Sequence, residues 1–372
     1  MSTSSTPMYE QIQNELMEQI QSGFFQPGDR IPSEKELAER YHVSRITAVK
    51  ALTELALNGY IYRVQGRGSF ANPLDKHLKP SALKLGGVPK NDGEPCPVSV
   101  LIPEHADYHS GSIIQGITQT LQYPECFVHL VLTHSNQLEE YALEQALKSG
   151  CAGVILFPVD CEVYSDTILR MHLNKFPLVL IDRCFPGIQS SCVCCDNEKG
   201  GWLAVEHLLS LGHRNICFIA DSSFREQVTS VRYGAYVAAM TAQQLPLHAV
   251  ERFNPQTFSQ EEMERLLNAI RAREITAALV SNSHAAEWLL ELCQTGGIRI
   301  PEELSVVCFD QPRIFQGMEP LFTYVEQNSF EMGRRAAELL RKAFETGQEH
   351  ACQKLVLEPK LMIHHSTQTF VK

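Results

Sequence analysis

Three polar residues of this 372-residue chain each stand directly after a short apolar run. Asp182, with Arg183 beside it, follows 178–181; Asn282 follows 278–281; Asp310 follows 306–309. In layered α/β proteins ligands bind beyond the carboxyl ends of the strands, so these are positions from which side chains reach a ligand. Carboxylate, amide and guanidinium groups pair bidentately with neighbouring hydroxyls, each both donor and acceptor, which is the chemistry of sugar recognition. Arg232 offers the same chemistry from early in a helical stretch at 229–243. The competing reading for Asp182 and Asp310 is a cap on the segment that follows.

A second constellation lies near the N-terminus. Ser44, Arg45, Thr47 and, one turn on, Lys50 open the second of two short helices. A helix that enters the major groove N-terminus first needs base and phosphate donors in that turn, and Arg45 can pair bidentately with a guanine or a phosphate. Gly66 and Gly68 permit close approach of a hairpin tip to DNA, and Arg67 between them supplies charge.

The spacing of apolar residues predicts the elements that hold these groups. Tyr9, Ile12, Leu16 and Ile20 recur at helical period and end at Gly23 and Pro27-Gly28. Ser33 and Glu36 form a capping box for a helix running to Tyr41. Ser44 caps a third helix, which carries Val49, Leu52, Leu55 and Leu57 and stops at Asn58-Gly59. Strands at 60–65 and 69–71 flank the hairpin tip. Prolines and glycines break 72–96 into a linker. Beyond it, short buried strands at 98–102, 127–132, 153–157, 178–181, 216–220, 277–280 and 306–309 alternate with amphipathic stretches at 138–149, 198–211, 260–272 and 283–295. That alternation predicts parallel α/β layers, and the length suits two lobes with a cleft better than one sheet. The expected architecture is an N-terminal winged helix-turn-helix (α+β) over 1–71, a linker at 72–96, and a two-lobed α/β domain over 97–372.

Composition sets the class. Hydrophobic residues make up 44% and charged residues 20%, ordinary for a soluble globular chain. Apolar runs such as 154–157 are far too short to span a membrane, and no basic-then-apolar leader opens the chain, so a cytoplasmic protein is expected. Twelve cysteines lie scattered among apolar residues, as small buried hydrophobes in a reducing compartment would. The net charge is -11, yet residues 1–80 hold 9 Lys+Arg against 9 Asp+Glu, and 30–70 hold 7 against 4. A local basic face is what meets phosphate, so the global sign does not argue against DNA.

Residues 8–71 resemble the GntR-family winged helix nearly end to end. The resemblance rests on 27–38 (PGDRIPSEKELA), 43–47 (VSRIT), 58–61 (NGYI) and 66–70 (GRGSF). It implies that Lys35, Ser44, Arg45, Thr47 and the wing residues Gln65, Gly66, Arg67 and Gly68 contact DNA. Val49 stands where the family usually has Arg, which removes that contact or moves it to Lys50. Residues 97–365 resemble the LacI/GalR-type effector domain, itself similar to periplasmic sugar-binding proteins. The matching pieces are 177–183, Asp196-Asn197 with Gly200-Gly201, 207–214, Ser281-Asn282 and 300–310, with Cys308 where a Gly is usual. This resemblance implies ligand contacts at Asp182, Arg232, Asn282 and Asp310. The headpiece and hinge helix usual in that family are absent.

Other constellations carry less. Cys192 and Cys194 would share one face of a strand, but no second cluster completes a tetrahedral metal set, so core cysteines are the expectation. His105, His109, His129 and His134 share no helical spacing and read as solvated or capping residues. No nucleophile elbow, P-loop or dinucleotide fingerprint occurs, so neither catalysis nor a cofactor is expected. A pure solute-binding protein lacks a use for the winged helix, and an aminotransferase-derived effector domain would need a Schiff-base lysine motif. The expected partners are double-stranded operator DNA, a small polar effector, foremost a sugar, and a second copy of the chain.

Overall fold

The computed structural model describes residues 8–371 except 27, 58–59, 65–67, 72–94, 105–106, 160–164, 186–187, 189, 255, 313–320 and 347–351. The N-terminal unit runs α1 (Met8–Gln21), β1 (Arg30–Ile31), α2 (Glu34–Tyr41), α3 (Arg45–Leu57), β2 (Ile61–Val64) and β3 (Gly68–Ala71). The periodic residues of α1 meet Leu37 of α2 and Leu52 and Leu55 of α3 in one core. The capping box forms: Glu36 N–H donates to Ser33 Oγ at 3.3 Å, and Ser33 N–H donates to Glu36 Oε2 at 2.6 Å. Ser44 Oγ accepts the Thr47 N–H at 3.2 Å and so caps α3. β3 lies between β1 and β2, both antiparallel to it, which makes the wing. Gln65, Gly66 and Arg67 lie outside the described residues. Gly68 opens β3 at φ +113, a conformation that suits glycine.

The span read as a linker is outside the described residues up to 94. Cys96, its last member in the sequence reading, instead starts a strand, because its pairing with Cys126 extends the ladder by one step.

Two lobes follow. The first holds β4 (Cys96–Pro103), α4 (Tyr108–Thr120), β5 (Cys126–Thr133), α5 (Asn136–Lys148), β6 (Gly153–Leu156), α6 (Asp166–Leu173), β7 (Leu178–Ile181) and β8 (Ser191–Cys195). The second holds α7 (Asn197–Ser210), β9 (Ile216–Ile219), α8 (Gln227–Ala242), β10 (His248–Val250), α9 (Gln260–Arg271), β11 (Ala277–Val280), α10 (Ser283–Thr295), β12 (Ser305–Phe309) and β13 (Thr323–Glu326). The chain then returns to the first lobe with α11 (Ser329–Thr346) and β14 (Lys354–Leu357), and ends in the second with β15 (Lys360–Met362). Among the described residues the sheets run β14-β8-β7-β6-β4-β5 and β10-β9-β11-β12-β13-β15. All pairs are parallel except β13 with β15. This is the layered two-lobe arrangement that the alternation predicts.

The backbone therefore crosses between lobes three times, near Asp196, Gln327-Asn328 and Glu358-Pro359. The crossings touch: Asp196 N–H donates to Leu357 O at 2.9 Å, and Asn328 Nδ2 donates to Glu358 O at 2.5 Å. In the first lobe α11 packs on α4 so closely that a Cβ on Gly116 would lie 2.1 Å from Phe330 O. Among the described residues no helix is long and apolar enough to cross a membrane.

Candidate functional site

A cleft of about 540 Å³ opens between the lobes, lined by His109, Asp182 and Arg183 from the first and by Arg232, Asn282 and Asp310 from the second. Four of the five sequence-derived effector residues come from strand ends, as the rule for layered sheets requires. Asp182 and Asp310 occupy equivalent places, one residue beyond β7 and β12, with left-handed backbones at φ +64 and +61. Asp tolerates that region better than most side chains. Their N–H groups stay in the sheets, bonded to Val193 O and Val325 O. Their carboxyls, both buried, converge on one imidazole.

That imidazole is His109, in the first turn of α4 and only 5% exposed. Its Nε2 lies 3.4 Å from Asp182 Oδ1, and its Nδ1 lies 3.6 Å from Asp310 Oδ1 and 2.7 Å from Ser329 Oγ. The expectation of a solvated or capping role is thus wrong for His109, whereas His129 and His134 are exposed. α4 begins where β4 ends, so its first turn faces the cleft. Burial opposes a charge on His109, but the carboxylates of Asp310 and Asp182 outweigh it and lift the pKa to about 9. Burial also pushes the Asp182 carboxyl up, yet the His109 bond and the charges of His109, Arg183 and Arg232 hold it below the usual range. At Asp310 burial prevails and the pKa is raised.

Arg232 spans this floor. Nε donates to Asn197 Oδ1 at 2.7 Å, Nη2 to Gln327 Oε1 at 2.9 Å, and Nη1 to the Ser281 carbonyl. Its guanidinium lies 3.8 Å from the Phe309 ring centroid, and Gln327 passes the contact on to Asp310 Oδ2 at 2.7 Å. Arg183 Nη1 donates to Val159 O at 2.7 Å, and Nη2 lies 3.4 Å from Glu226 of the other lobe. Asn282 caps α10 through Oδ1 and donates from Nδ2 to Asp221 at 2.8 Å. Some hydrogen-bonding capacity remains unused. Among the described residues the buried side-chain atoms without a hydrogen-bond partner include His109 Nε2, Asp182 Oδ1, Arg183 Nε and Ser281 Oγ, all on residues lining the cleft.

Behind Arg183, Cys184 and Cys192 are joined by a disulfide. The sequence reading, with all cysteines as buried thiols, misses this pairing, because the turn after β7 that folds Cys184 back onto β8 leaves no periodic signal. Cys194, the next residue on that face of β8, brings its sulfur within 4.8 Å of both.

On the N-terminal unit, Lys35 and Arg45 are exposed, and Arg45 Nη2 pairs with Glu34 Oε2 at 3.2 Å. Ser44 and Thr47 hydroxyls are 2.9 Å apart. Lys50 is turned away from this set: its Nζ lies 3.3 Å from the ring centroid of Tyr9 on α1. Val49, one turn after Arg45, is 5% exposed and belongs to the apolar cluster that holds Ile168 and Leu169 of α6 in the first lobe.

Comparison with known proteins agrees with both halves. Residues 8–70 match the bacterial regulatory proteins of the gntR family, and residues 205–367 match a periplasmic binding protein-like domain. The HTH-type transcriptional regulator DegA of Bacillus subtilis is 32% identical over 279 residues, covering 73% of this chain and 80% of that protein. The chain belongs to the HTH-type transcriptional regulators. This regulator is also 26% identical over 377 residues to an arabinose metabolism transcriptional repressor of Geobacillus stearothermophilus, covering 99% of this chain and 100% of that one. Its two-lobed fold is that of a LacI family transcriptional regulator from Enterococcus faecium with bound ribose, at TM-score 0.62 and 22% identity, over 74% of this chain and 100% of that one.

Two cleft residues of the regulator, His109 and Gln327, escape sequence reasoning as site residues, and so does Asn197, which accepts from Arg232 behind the cleft. His109 has a usable signal, since it falls just past a strand end. Gln327 and Asn197 sit at the crossings between lobes, which apolar periodicity does not reveal.

Proposed function

We propose that this regulator is a cytoplasmic, homodimeric repressor of carbohydrate-utilisation genes whose operator affinity falls when a sugar binds the cleft. One observation carries the effector half. Of the buried cleft atoms that make no hydrogen bond within the protein, His109 Nε2 and Arg183 Nε meet Asp182 only at ion-pair distance, 3.4 and 3.7 Å, and Ser281 Oγ of the other lobe has no partner. A buried polar atom without a partner costs about 1–3 kcal/mol, so a ligand hydroxyl that pairs with Ser281 Oγ recovers that energy on binding, and further hydroxyls complete the hydrogen bonds of His109, Asp182 and Arg183. The arabinose metabolism repressor among the relatives supports the class of gene, and the ribose-bound neighbour supports the class of ligand.

Operator DNA is read by Lys35, Ser44, Arg45, Thr47 and the wing at 65–68. The twofold partner docks on the first lobe's edge strand, β5, where Phe127, Leu130 and Leu132 are exposed. A ligand gripped by both lobes favours the closed form, and only that differential affinity can shift the equilibrium. Closure then changes the separation of the two heads, which a fixed half-site spacing penalises. The test is a thermal-shift panel of free pentoses, hexoses and nucleosides, followed by operator release with the best sugar. Asp310→Asn should keep operator affinity and lose the sugar response. A panel in which only nucleosides raise the melting temperature would refute the sugar assignment.

A further inference from the structure

We infer that Cys184 and Cys192 form a thiol–disulfide couple that sets how readily the effector cleft closes, so that the regulator responds to oxidant as well as to its sugar. This inference rests on the effector reading of the cleft.

The position of the couple is the argument. Cys184 is the second residue after Asp182, and Cys192 is the second residue of β8, with a sequence separation of 8. The bond therefore staples the β7–β8 connection, which begins with the cleft residues Asp182 and Arg183, to the sheet. On its inner side the connection is anchored by Phe185 and Ile188 in the first-lobe core. Its outer side meets the second lobe: Gln227 Nε2 donates to Cys184 O at 2.9 Å, and Arg183 Nη2 lies 3.4 Å from Glu226 Oε1. Glu226 and Gln227 stand at the start of α8, the helix that also carries Arg232. One segment thus links a redox-active bond to a contact between the lobes.

A cross-link across a short loop removes conformations that the open chain would otherwise sample. The disulfide keeps the Cys184 carbonyl and the Arg183 guanidinium where Gln227 and Glu226 meet them. Reduction removes that staple from Arg183 and Cys184, and closure must then order them. The reduced form should therefore bind effector more weakly, by about tenfold, a common size for coupling between sites.

The chemistry balances with hydrogen peroxide as oxidant. Cys184 is half-buried, whereas Cys192 and Cys194 are 2% and 8% exposed, so Cys184 meets the oxidant first. Its thiolate attacks the peroxide: an S–O bond forms, the O–O bond breaks, and water leaves. The sulfur, oxidised by two electrons, is then a sulfenic acid. Cys192, losing its proton, attacks that sulfur; the S–S bond forms, the S–O bond breaks, and the hydroxide leaves as a second water. A dithiol reductant reverses the change by exchange, which is how cytosolic disulfides act as transient sensors.

The test uses the full chain. Protein reduced with dithiothreitol and then treated with hydrogen peroxide is alkylated with N-ethylmaleimide and digested. Mass spectrometry should find peptides linked through Cys184 and Cys192 in the oxidised sample, and alkylation at Cys184, Cys192 and Cys194 in the reduced one. Amide exchange at Arg183, Cys184 and Phe185 should be about tenfold slower in the oxidised form, and L-arabinose, followed by thermal shift, should half-saturate it at about tenfold lower concentration. Cys184→Ser should behave as reduced protein with or without peroxide, and Cys194→Ser as wild type. If Cys184→Ser does not fold, oxidised and reduced wild type supply the same comparison. Absence of the linkage, or equal exchange in the two redox forms, overturns the inference. If L-arabinose shifts neither form, the sugar reading fails, while the linkage and exchange results still decide the redox inference.

Discussion

His109 joins the two lobes as a cation, and its contribution can be titrated away. An unfolded chain holds the imidazole proton up to a pKa of about 6.5, whereas the folded protein holds it to about 9. The folded value is raised, so the stabilisation is complete below about pH 6.5 and is lost as pH rises through about 9. The shift of about 2.5 units corresponds to on the order of 3 kcal/mol, or about 1.4 kcal/mol for each pH unit within that window. Replacing His109 by Gln removes the titration and leaves Asp182 and Asp310 facing each other without the cation. Wild type should therefore exceed His109→Gln by roughly 3 kcal/mol near pH 6, and the gap should close near pH 9.5. Urea unfolding of both proteins across that range measures the gap, and the NMR shifts of labelled imidazoles report the pKa of His109 directly. An imidazole titrating near 6.5, or a gap that does not change with pH, would refute the bridging role.

Three further outcomes follow from other parts of the molecule. Arg45→Ala should weaken operator binding by about 1–3 kcal/mol in gel-shift titrations at one fixed salt concentration, the scale of a lost bidentate base contact. Unchanged affinity would remove Arg45 from the interface. Gly116→Ala must part α4 from α11, since the new methyl carbon falls 2.1 Å from a backbone oxygen, and it should cost about 1–3 kcal/mol or more in chemical denaturation. Phe127→Glu places a charge on the exposed edge strand β5 and should turn dimer into monomer in sedimentation at micromolar concentration, with no loss of helical signal.

The legible part of this protein was the part written in periodicity and capping. Ser33 and Glu36 announce α2 because the two donors they satisfy are at fixed spacing, and Leu178–Ile181 announces β7 because a strand buried on both faces must be apolar throughout. Asp182, Asn282 and Asp310 were found because a strand end is a place with geometric meaning. β14 and β15 were not found. They are edge strands with alternating or partial burial, three or four residues long, and their partners lie far away in sequence. The same distance hid the cleft's middle: no local pattern states that His109, Ser329 and Asp310 will meet. Lys50 shows the converse: its residue type fits DNA, yet no local pattern states that its charge will lie over Tyr9 of a neighbouring helix.

The three crossings between lobes also fix an order of events at the ribosome. The winged helix has all its strands and helices once β3 is made, so it can fold early. The first lobe cannot, because Met332, Ala336 and Leu340 of α11 belong to the same core as Ile113 and Ile117 of α4. From the synthesis of β8 to the end of α11, Ser191–Cys195 to Ser329–Thr346, about 150 residues must be added, which takes on the order of ten seconds or more at bacterial rates. During that interval the α4 face of the first lobe stays uncovered while the whole second lobe emerges. The two lobes are therefore completed almost together, by the last turns of α11 and the strands β14 and β15. A nascent chain can hold a folded DNA-reading head well before it has a cleft with which to answer an effector.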